Sequence, residues 1–140
     1  MLKGIDPVIS PELLKILSEM GHGDEILLAD GNYPAQGAVK NMSLVTRADG
    51  VGIPKLLNAI MKLFPLDTFL DYNVVLMLPE KGVPQIWEEY EKILNDSGEI
   101  VRIKKVPRFA FYDLASKSYA VVASGERALY ANIILRKGVI

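Results

Sequence analysis

The first regular feature of the chain is a stretch of apolar residues with helical spacing. Apolar side chains recur at i, i+3, i+4 and i+7 from Leu13 to Met20, which places them on one face of a helix. Ser10 is a favoured N-cap residue, and Pro11 suits the first helical position. We predict that this helix ends at Gly21 in a left-handed cap.

Two uninterrupted apolar runs predict buried strands at residues 25–29 and 74–78, because a strand that is covered on both faces shows no alternation. Residues 100–106 alternate apolar and charged side chains, which indicates a half-exposed or edge strand. The other predicted elements are a long loop at 31–47 that contains a short strand at 43–46, helices at 53–64, 86–94 and 108–116, and strands at 119–123 and 133–135.

This alternation of strands and helices is typical of α/β proteins. We predict one domain over residues 1–140, a three-layer sandwich in which a mostly parallel sheet carries helices on both faces. In such a sheet, ligands bind outside the carboxyl ends of the strands. The polar residues that follow the strands are therefore the first candidates for a site.

Composition excludes several classes of function. The 140 residues hold 16 basic and 17 acidic side chains, a net charge of −1, so nucleic acid and anionic membranes are not expected partners. The absence of cysteine rules out thiolate chemistry, and a single histidine argues against an ordinary zinc site. No apolar run approaches the ~20 residues of a membrane span, and the N-terminus does not resemble a signal peptide. We expect a cytoplasmic protein without a metal.

The candidate with the clearest chemistry is His22, the only histidine, which lies between two glycines just before the predicted strand at 25–29. Histidine ordinarily titrates near neutral pH, so it suits proton transfer, although a surface-loop histidine would look the same. Asp30 follows the same strand. It is either a ligand contact at the carboxyl end of the strand or a turn former before Gly31.

Four other residues could complete a site. Arg108 begins a predicted helix, where the helix dipole disfavours a cation, so it is a candidate for binding a ligand oxygen. Tyr112 could present its hydroxyl to a pocket or be a half-buried core residue, and both phenylalanines of this helix are predicted to be core. Tyr130 and Asn132 suit hydroxyl binding or a turn equally. Such a set fits a neutral polyhydroxylated ligand but names no reaction.

Several blocks of sequence occur in a fixed order from the first helix to the last strand. They are Ser-Pro-Glu-Leu-Leu at 10–14, Met-Gly-His-Gly-Asp-Glu at 20–25, Ala-Asp at 29–30, Arg-Ala-Asp-Gly at 47–50, Leu-Asp-Thr at 66–68, Arg-Phe-Ala-Phe-Tyr at 108–112, Ser-Gly-Glu at 124–126 and Tyr-Ala-Asn-Ile-Ile-Leu-Arg-Lys-Gly-Val at 130–139. Together they resemble the L-fucose mutarotase and D-ribose pyranase family. The block around His22 and the arginine at 108 resemble the fucose mutarotase branch, since the ribose pyranase branch usually has Gly-His-Thr-Asp and a histidine near the latter position.

The resemblance implies interconversion of the α and β anomers of L-fucose, no cofactor, and a ring-shaped homo-oligomer that is commonly a decamer. It implies that His22 is the catalytic proton donor, with Tyr112 as a further catalytic residue. Ala131 stands where many relatives have glycine. The residues implied to bind the sugar are Asp30, Asp67, Arg108, Tyr130, Ala131 and Asn132.

The spacing of His22 and Asp30 constrains this site. A strand at residues 25–29, at ~3.3 Å per residue, puts them at opposite ends of the strand. They can share one sugar within one chain only if the loop at 21–23 folds back or the strand is very short, and otherwise two subunits must complete the site. We predict that the pocket lies at a subunit interface.

Two other functions remain open at this point. One is the same chemistry on D-ribose, with interconversion of pyranose and furanose forms. The other is a sugar-binding oligomer without turnover. The titratable His22 counts against the second, because a pure binder has no need of it.

Overall fold

The computed structural model describes residues 1–38 and 43–140, and these contain five helices and six strands. The helices are α1 (Pro11–Glu19), α2 (Ala35–Ala38), α3 (Ile53–Ile60), α4 (Ile86–Asp96) and α5 (Arg108–Ala115). The strands are β1 (Glu25–Ala29), β2 (Leu44–Ala48), β3 (Val74–Met77), β4 (Ile103–Val106), β5 (Ala120–Ser124) and β6 (Ile133–Arg136).

The strands form one mixed sheet in the order β2-β5-β1-β6-β3-β4. β2, β5 and β1 pair in parallel, and so do β3 and β4. β6 is antiparallel to both of its neighbours, β1 and β3, and therefore joins the two parallel units. Because β6 runs against the other strands, it begins at the end of the sheet where β1 and β3 finish.

Helices cover both faces of this sheet. α1, α3 and α4 pack on one face, against alternate strand residues such as Ile26 and Leu28. α2 and α5 pack on the other face, where the fully buried Phe111 meets Leu27 and Val75. Each strand residue points to the opposite face from its neighbour, so strands buried on both sides are apolar throughout. The three-layer α/β prediction is confirmed.

The start of α1 agrees with the sequence prediction, but its end does not. The Ser10 hydroxyl accepts a hydrogen bond from the Leu13 N–H at 3.1 Å and caps the helix. The helix ends at Glu19, and its C-cap residue Met20 has φ −60°. The left-handed glycine of this turn is Gly23, at φ +87°, and not Gly21 as predicted.

Lys137, directly after β6, holds the end of α1 instead. Its ammonium group donates to the carbonyls of Leu17 at 2.8 Å and Met20 at 2.7 Å. Its backbone also pairs with the turn that follows, through the Gly23 N–H and the Asp24 carbonyl. A residue more than a hundred positions away in the chain thus fixes the turn that carries the only histidine.

The structure differs from three further predictions made from the sequence. α2 lies inside the predicted loop at 31–47, of which residues 39–42 are outside the described part of the chain. The helix predicted at 53–64 ends earlier, at Ile60. Phe111 is buried as predicted, but Phe109 is 82 % exposed and is not core. None of the described helices has the length and apolar character needed to cross a membrane.

Candidate functional site

Polar residues that follow the strands meet in one pocket. Asp30 follows β1, Arg108 begins α5 just after β4, and Asn132 precedes the antiparallel β6. All three therefore lie at the same end of the sheet, where α/β sheets bind ligands. The pocket has a volume of about 280 Å³ and is lined by Asp30, Asn32, Tyr33, Met77, Arg108, Tyr112, Leu129, Tyr130 and Asn132.

Asp30 and Asn132 form a buried reciprocal pair in this pocket. The Asp30 N–H donates to Asn132 Oδ1 at 2.8 Å, and Asn132 Nδ2 donates to Asp30 Oδ2 at 2.9 Å. Burial raises the pKa of Asp30, and the hydrogen bonds from Asn32, Tyr33 and Asn132 oppose this only in part. A carboxylate with a raised pKa is a stronger proton acceptor than an exposed one, so Asp30 is suited to act as a base.

The turn before β6 has an unusual backbone. Tyr130 has φ +56°, and among the described residues it is the one non-glycine residue in the left-handed region. The next residue, Ala131, is fully buried, and its carbonyl accepts a hydrogen bond from the Tyr90 hydroxyl of α4 at 2.6 Å. Strained backbone of this kind is concentrated at binding sites. Here it lets Tyr130 line the pocket next to the buried Asn132.

Arg108 and two tyrosines form one side of the pocket. The Arg108 guanidinium lies 5.6 Å from the centre of the Tyr112 ring, which is 5.7 Å from the ring of Tyr33. Burial, and then the neighbouring Tyr112, raise the pKa of Tyr33 to about 12. The Tyr33 hydroxyl therefore stays protonated near neutral pH, while the exposed Arg108 supplies a positive charge to a ligand.

His22 lies at the opposite end of the sheet, in the tight turn between α1 and β1. Hydrogen bonds between Gly21 and Asp24 close this turn. The imidazole is 42 % exposed, and its Nε2 lies 3.1 Å from Asp67 Oδ1. The ring also packs against Phe69, at 4.9 Å between ring centroids.

Asp67 is almost completely buried behind His22. Its Oδ1 also accepts from the Phe69 N–H at 3.0 Å, and its Oδ2 accepts from Arg136 Nε at 2.9 Å. Burial alone would raise the pKa of Asp67, but the hydrogen bonds from Phe69, Arg136 and His22 outweigh it and lower the pKa to about 2. Asp67 is therefore an ionised carboxylate with both oxygens engaged.

Arg136 connects Asp67 to a second carboxylate, Glu25. Arg136 and Glu25 are direct cross-strand partners on β6 and β1, and Arg136 Nη1 donates to Glu25 Oε1 at 3.2 Å. Burial raises the pKa of Glu25, although Arg136 acts against this shift. The sheet register itself thus places the guanidinium between two carboxylates.

The predicted site residues therefore fall into two groups. Since five residues of β1 separate them, His22 and Asp30 lie on the order of 15 Å apart, and the loop at 21–23 does not fold back towards Asp30. Ala131 is next to the pocket but buried beneath it. The pocket group is Asp30, Arg108, Tyr112, Tyr130 and Asn132, and the other group is His22 and Asp67.

Sequence reasoning missed three residues of these groups. Tyr33 follows Asp30 by three positions, so its place in the same turn could have been inferred. Glu25 and Arg136 are charged residues at the ends of two apolar strands, and this is the signal that could have suggested a cross-strand pair. Within residues 1–38 and 43–140, no cluster of three or more acidic or histidine side chains could hold a metal ion.

A second cavity, of about 570 Å³, borders the Arg136 network from the side of α5. Its lining includes Glu25, Tyr72 and Lys117 but neither His22 nor Asp30. It therefore does not join the two groups within one chain.

The pKa of Asp67 predicts a specific loss of stability in acid. Its value of about 2 lies below the 3.8 of an ordinary aspartate. The ionised form thus stabilises the fold above pH ~4, and this contribution disappears as the pH falls towards ~2. We expect Asp67→Asn to remove this dependence, which amounts to about 2 kcal/mol in the free energy of unfolding. Urea unfolding at a series of pH values measures this dependence.

Asp96→Asn, at an exposed aspartate, is the matched control. If the free energy of unfolding of Asp67→Asn fell with decreasing pH as steeply as that of the wild type, the prediction would be contradicted.

This chain is similar to known proteins over its whole length. Residues 3–140 match the model of the RbsD / FucU transport protein family. The fucose mutarotase of Danio rerio is 50 % identical to this chain, and the match covers 100 % of this chain and 95 % of the relative. The fucose mutarotase of Homo sapiens is also 50 % identical, and the match covers 99 % of this chain and 94 % of the relative. The fucose mutarotase of Streptococcus pneumoniae, solved in complex with L-fucose, is 46 % identical, with a TM-score of 0.92 over 99 % of both chains. The chain belongs to the RbsD / FucU family, and within it to the fucose mutarotase branch.

Proposed function

We propose that this protein is an L-fucose mutarotase, an isomerase that interconverts the α and β anomers of L-fucose. The observation that carries the proposal is the full-length similarity to a fucose mutarotase that was solved with L-fucose. The pocket at Asp30 supports it independently. Its carboxylate, amide, guanidinium and phenol groups suit the hydroxyls of a neutral sugar.

The chemistry requires two proton transfers. Opening a cyclic hemiacetal places a proton on the ring oxygen while the anomeric hydroxyl loses one, and closure on the other face reverses both transfers. His22 donates the proton to the ring oxygen. Asp30, whose pKa is raised by burial, accepts the other proton directly or through water. Positioned acid and base groups accelerate such steps by roughly 10²–10⁴-fold, and the transfers need no cofactor or metal.

The remaining residues of the pocket bind and orient the sugar. Arg108, Tyr130 and Asn132 form hydrogen bonds with its hydroxyls, and Tyr112 assists proton transfer from the same wall. Ala131 holds the backbone between Tyr130 and Asn132 through its bond to Tyr90. Asp67 belongs to the site through its hydrogen bond to His22.

Each complete site takes His22 from one subunit and the Asp30 pocket from a neighbouring copy. Exposed apolar side chains flank both parts: Phe69, 73 % exposed, lies beside His22, and Leu129, 70 % exposed, lines the pocket. Large apolar side chains exposed beside each part are suited to be covered by a neighbouring copy, and we call them the Phe69 patch and the Leu129 patch. Because the two patches differ, the contact is heterologous and can close into a ring. The homo-oligomer, its decameric ring and the cytoplasmic location stay predictions.

The test is saturation-transfer NMR on the anomeric protons of L-fucose. The purified protein is expected to speed exchange between the α and β signals in proportion to its concentration. D-ribose is measured alongside, with its pyranose and furanose signals resolved. Heat-unfolded protein at the same concentration is the control for buffer catalysis.

Each outcome separates one alternative. Faster exchange of ribose with no effect on fucose would replace the proposal by pyranase activity. Binding of fucose without faster exchange would leave a sugar-binding oligomer. Absence of both binding and exchange for either sugar would overturn the proposed function.

A further inference from the structure

The partner of His22 determines which of its two ring nitrogens can transfer a proton. Asp67 is ionised, and an ionised carboxylate can only accept hydrogen bonds. The Nε2 atom that faces Asp67 Oδ1 at 3.1 Å must therefore carry a hydrogen. In neutral His22 the lone pair then lies on Nδ1, because only one nitrogen is protonated.

We propose that Asp67, held by Arg136, is a positioning residue that fixes His22 as the Nε2–H tautomer, so that Nδ1 is the atom that exchanges a proton with the sugar. This inference rests on the proposed mutarotase function. It adds the identity of the reacting atom and the residues that select it.

The proton count is simple. The imidazolium carries protons on both nitrogens, and the Nδ1 proton passes to the ring oxygen as the bond from that oxygen to the anomeric carbon breaks. The anomeric hydroxyl loses its proton to Asp30 or water, and its electron pair forms the carbonyl. His22 is then neutral, with its proton on Nε2. On closure at the other face, the hydroxyl that becomes the ring oxygen returns its proton to Nδ1, and Asp30 or water returns a proton to the carbonyl oxygen, which becomes the new anomeric hydroxyl.

Arg136 determines the orientation of the Asp67 carboxylate. Its Nε donates to Oδ2 at 2.9 Å, which leaves Oδ1 directed at His22 and at the Phe69 N–H. The guanidinium cannot shift freely, because its second arm is held by Glu25, its partner across the sheet. The planar fork of arginine makes both contacts at once, and the single ammonium of lysine does not reproduce this geometry.

The backbone around Asp67 is fixed in the same way. The Asp67 N–H donates to the Arg136 carbonyl at 3.0 Å, and the Gly138 N–H donates to the Pro65 carbonyl at 2.8 Å. A side chain at Gly138 would collide with the Leu66 carbonyl, so the two segments pack backbone to backbone. Asp67 is thus positioned by main-chain contacts as well as by Arg136.

Nitrogen-15 NMR of the histidine ring tests the tautomer directly. His22 is the only histidine, so its two ring-nitrogen signals need no assignment by mutation. In the ligand-free protein, at a pH where the ring is neutral, we expect the signal of a protonated Nε2 and a bare Nδ1. Asp67→Asn is expected to lose this preference, since an amide can also donate to Nε2. A bare Nε2 in the wild type, or an unchanged tautomer in Asp67→Asn, would overturn the proposal.

Kinetics provide the second readout. Asp67→Asn is expected to lower kcat for L-fucose by about 10²-fold or more with little change in KM, because a wrong tautomer removes proton transfer and leaves binding intact. Arg136→Lys is expected to lower kcat by less than Asp67→Asn does and to keep part of the preference for the Nε2–H tautomer. Asp96→Asn, at an exposed aspartate of α4, is the matched control. A raised KM with unchanged kcat in Asp67→Asn would make Asp67 a sugar contact and contradict its positioning role.

The two proposals fail in distinguishable ways. The tautomer is measured without sugar, so it can be correct even if no sugar is turned over. If the wild type accelerates fucose exchange while its Nε2 is bare, the proposed function stands and this inference falls.

Discussion

Asparagine in place of His22 is expected to slow the anomer exchange of L-fucose by roughly 10²–10⁴-fold, the usual contribution of a positioned acid or base. The asparagine amide can still donate a hydrogen bond towards Asp67, as Nε2 does at 3.1 Å in the native protein. It cannot release and regain a proton near neutral pH. The loss should therefore fall on kcat, and saturation-transfer NMR of both anomers measures it.

The fold must survive for this result to concern catalysis. Because His22 is in an exposed turn, we expect the urea midpoint of His22→Asn to remain close to that of the wild type. Fucose binding, measured by the broadening of the NMR lines of the sugar, should also persist. Exchange at the wild-type rate would show that another group is the acid, with Tyr112 the first alternative to examine.

Mixing two inactive variants is expected to restore activity. If His22 and the Asp30 pocket come from different subunits, His22→Asn and Asp30→Asn each damage one part of every site. When equal amounts of the two variants are refolded together, each part of a site in a heterologous ring comes from a subunit with that part intact about half of the time. Both parts are therefore intact in about a quarter of the sites. We expect about a quarter of the wild-type exchange rate from a mixture whose components are nearly inactive.

The matched control for this mixture uses two variants of the same part. In a mixture of the His22→Asn and Asp67→Asn variants, every subunit carries a damaged His22 group, so no recovery of the exchange rate is expected. The exchange rate is measured by the same NMR experiment, and mixing is verified by mass spectrometry of the assemblies. Failure of the first mixture to recover, with mixed assemblies present, would place the complete site within one chain.

Local patterns predicted most of the fold. The apolar runs of β1 and β3 and the stripe of α1 follow directly from the spacing of their residues. The end of α1 did not follow, because Lys137 makes the cap and lies far away in sequence. The exposure of Phe109 was also missed, because the face that a short helix presents depends on what packs against it.

The pocket at Asp30 was predictable because it lies where strands of this fold class end. The group around His22 was predictable only in part. His22 stood out by its residue type, but Arg136 became visible only when the register placed it opposite Glu25. The family resemblance implied that Asp67 binds the sugar, but nothing local in the sequence shows that its oxygens accept hydrogen bonds from Phe69, Arg136 and His22.

The central place of β6 in the sheet affects the order in which the protein can fold. β6 is made after the other five strands, yet it lies between β1 and β3. Until it inserts, both neighbours expose unpaired backbone edges, which can pair with another chain. β6 is also flanked by Asn132 and ends at Arg136, which complete the pocket and the His22 group respectively. Neither part of the proposed site can therefore form in a partly synthesised chain, and on this proposal the capacity for catalysis arises in the same step that closes the sheet.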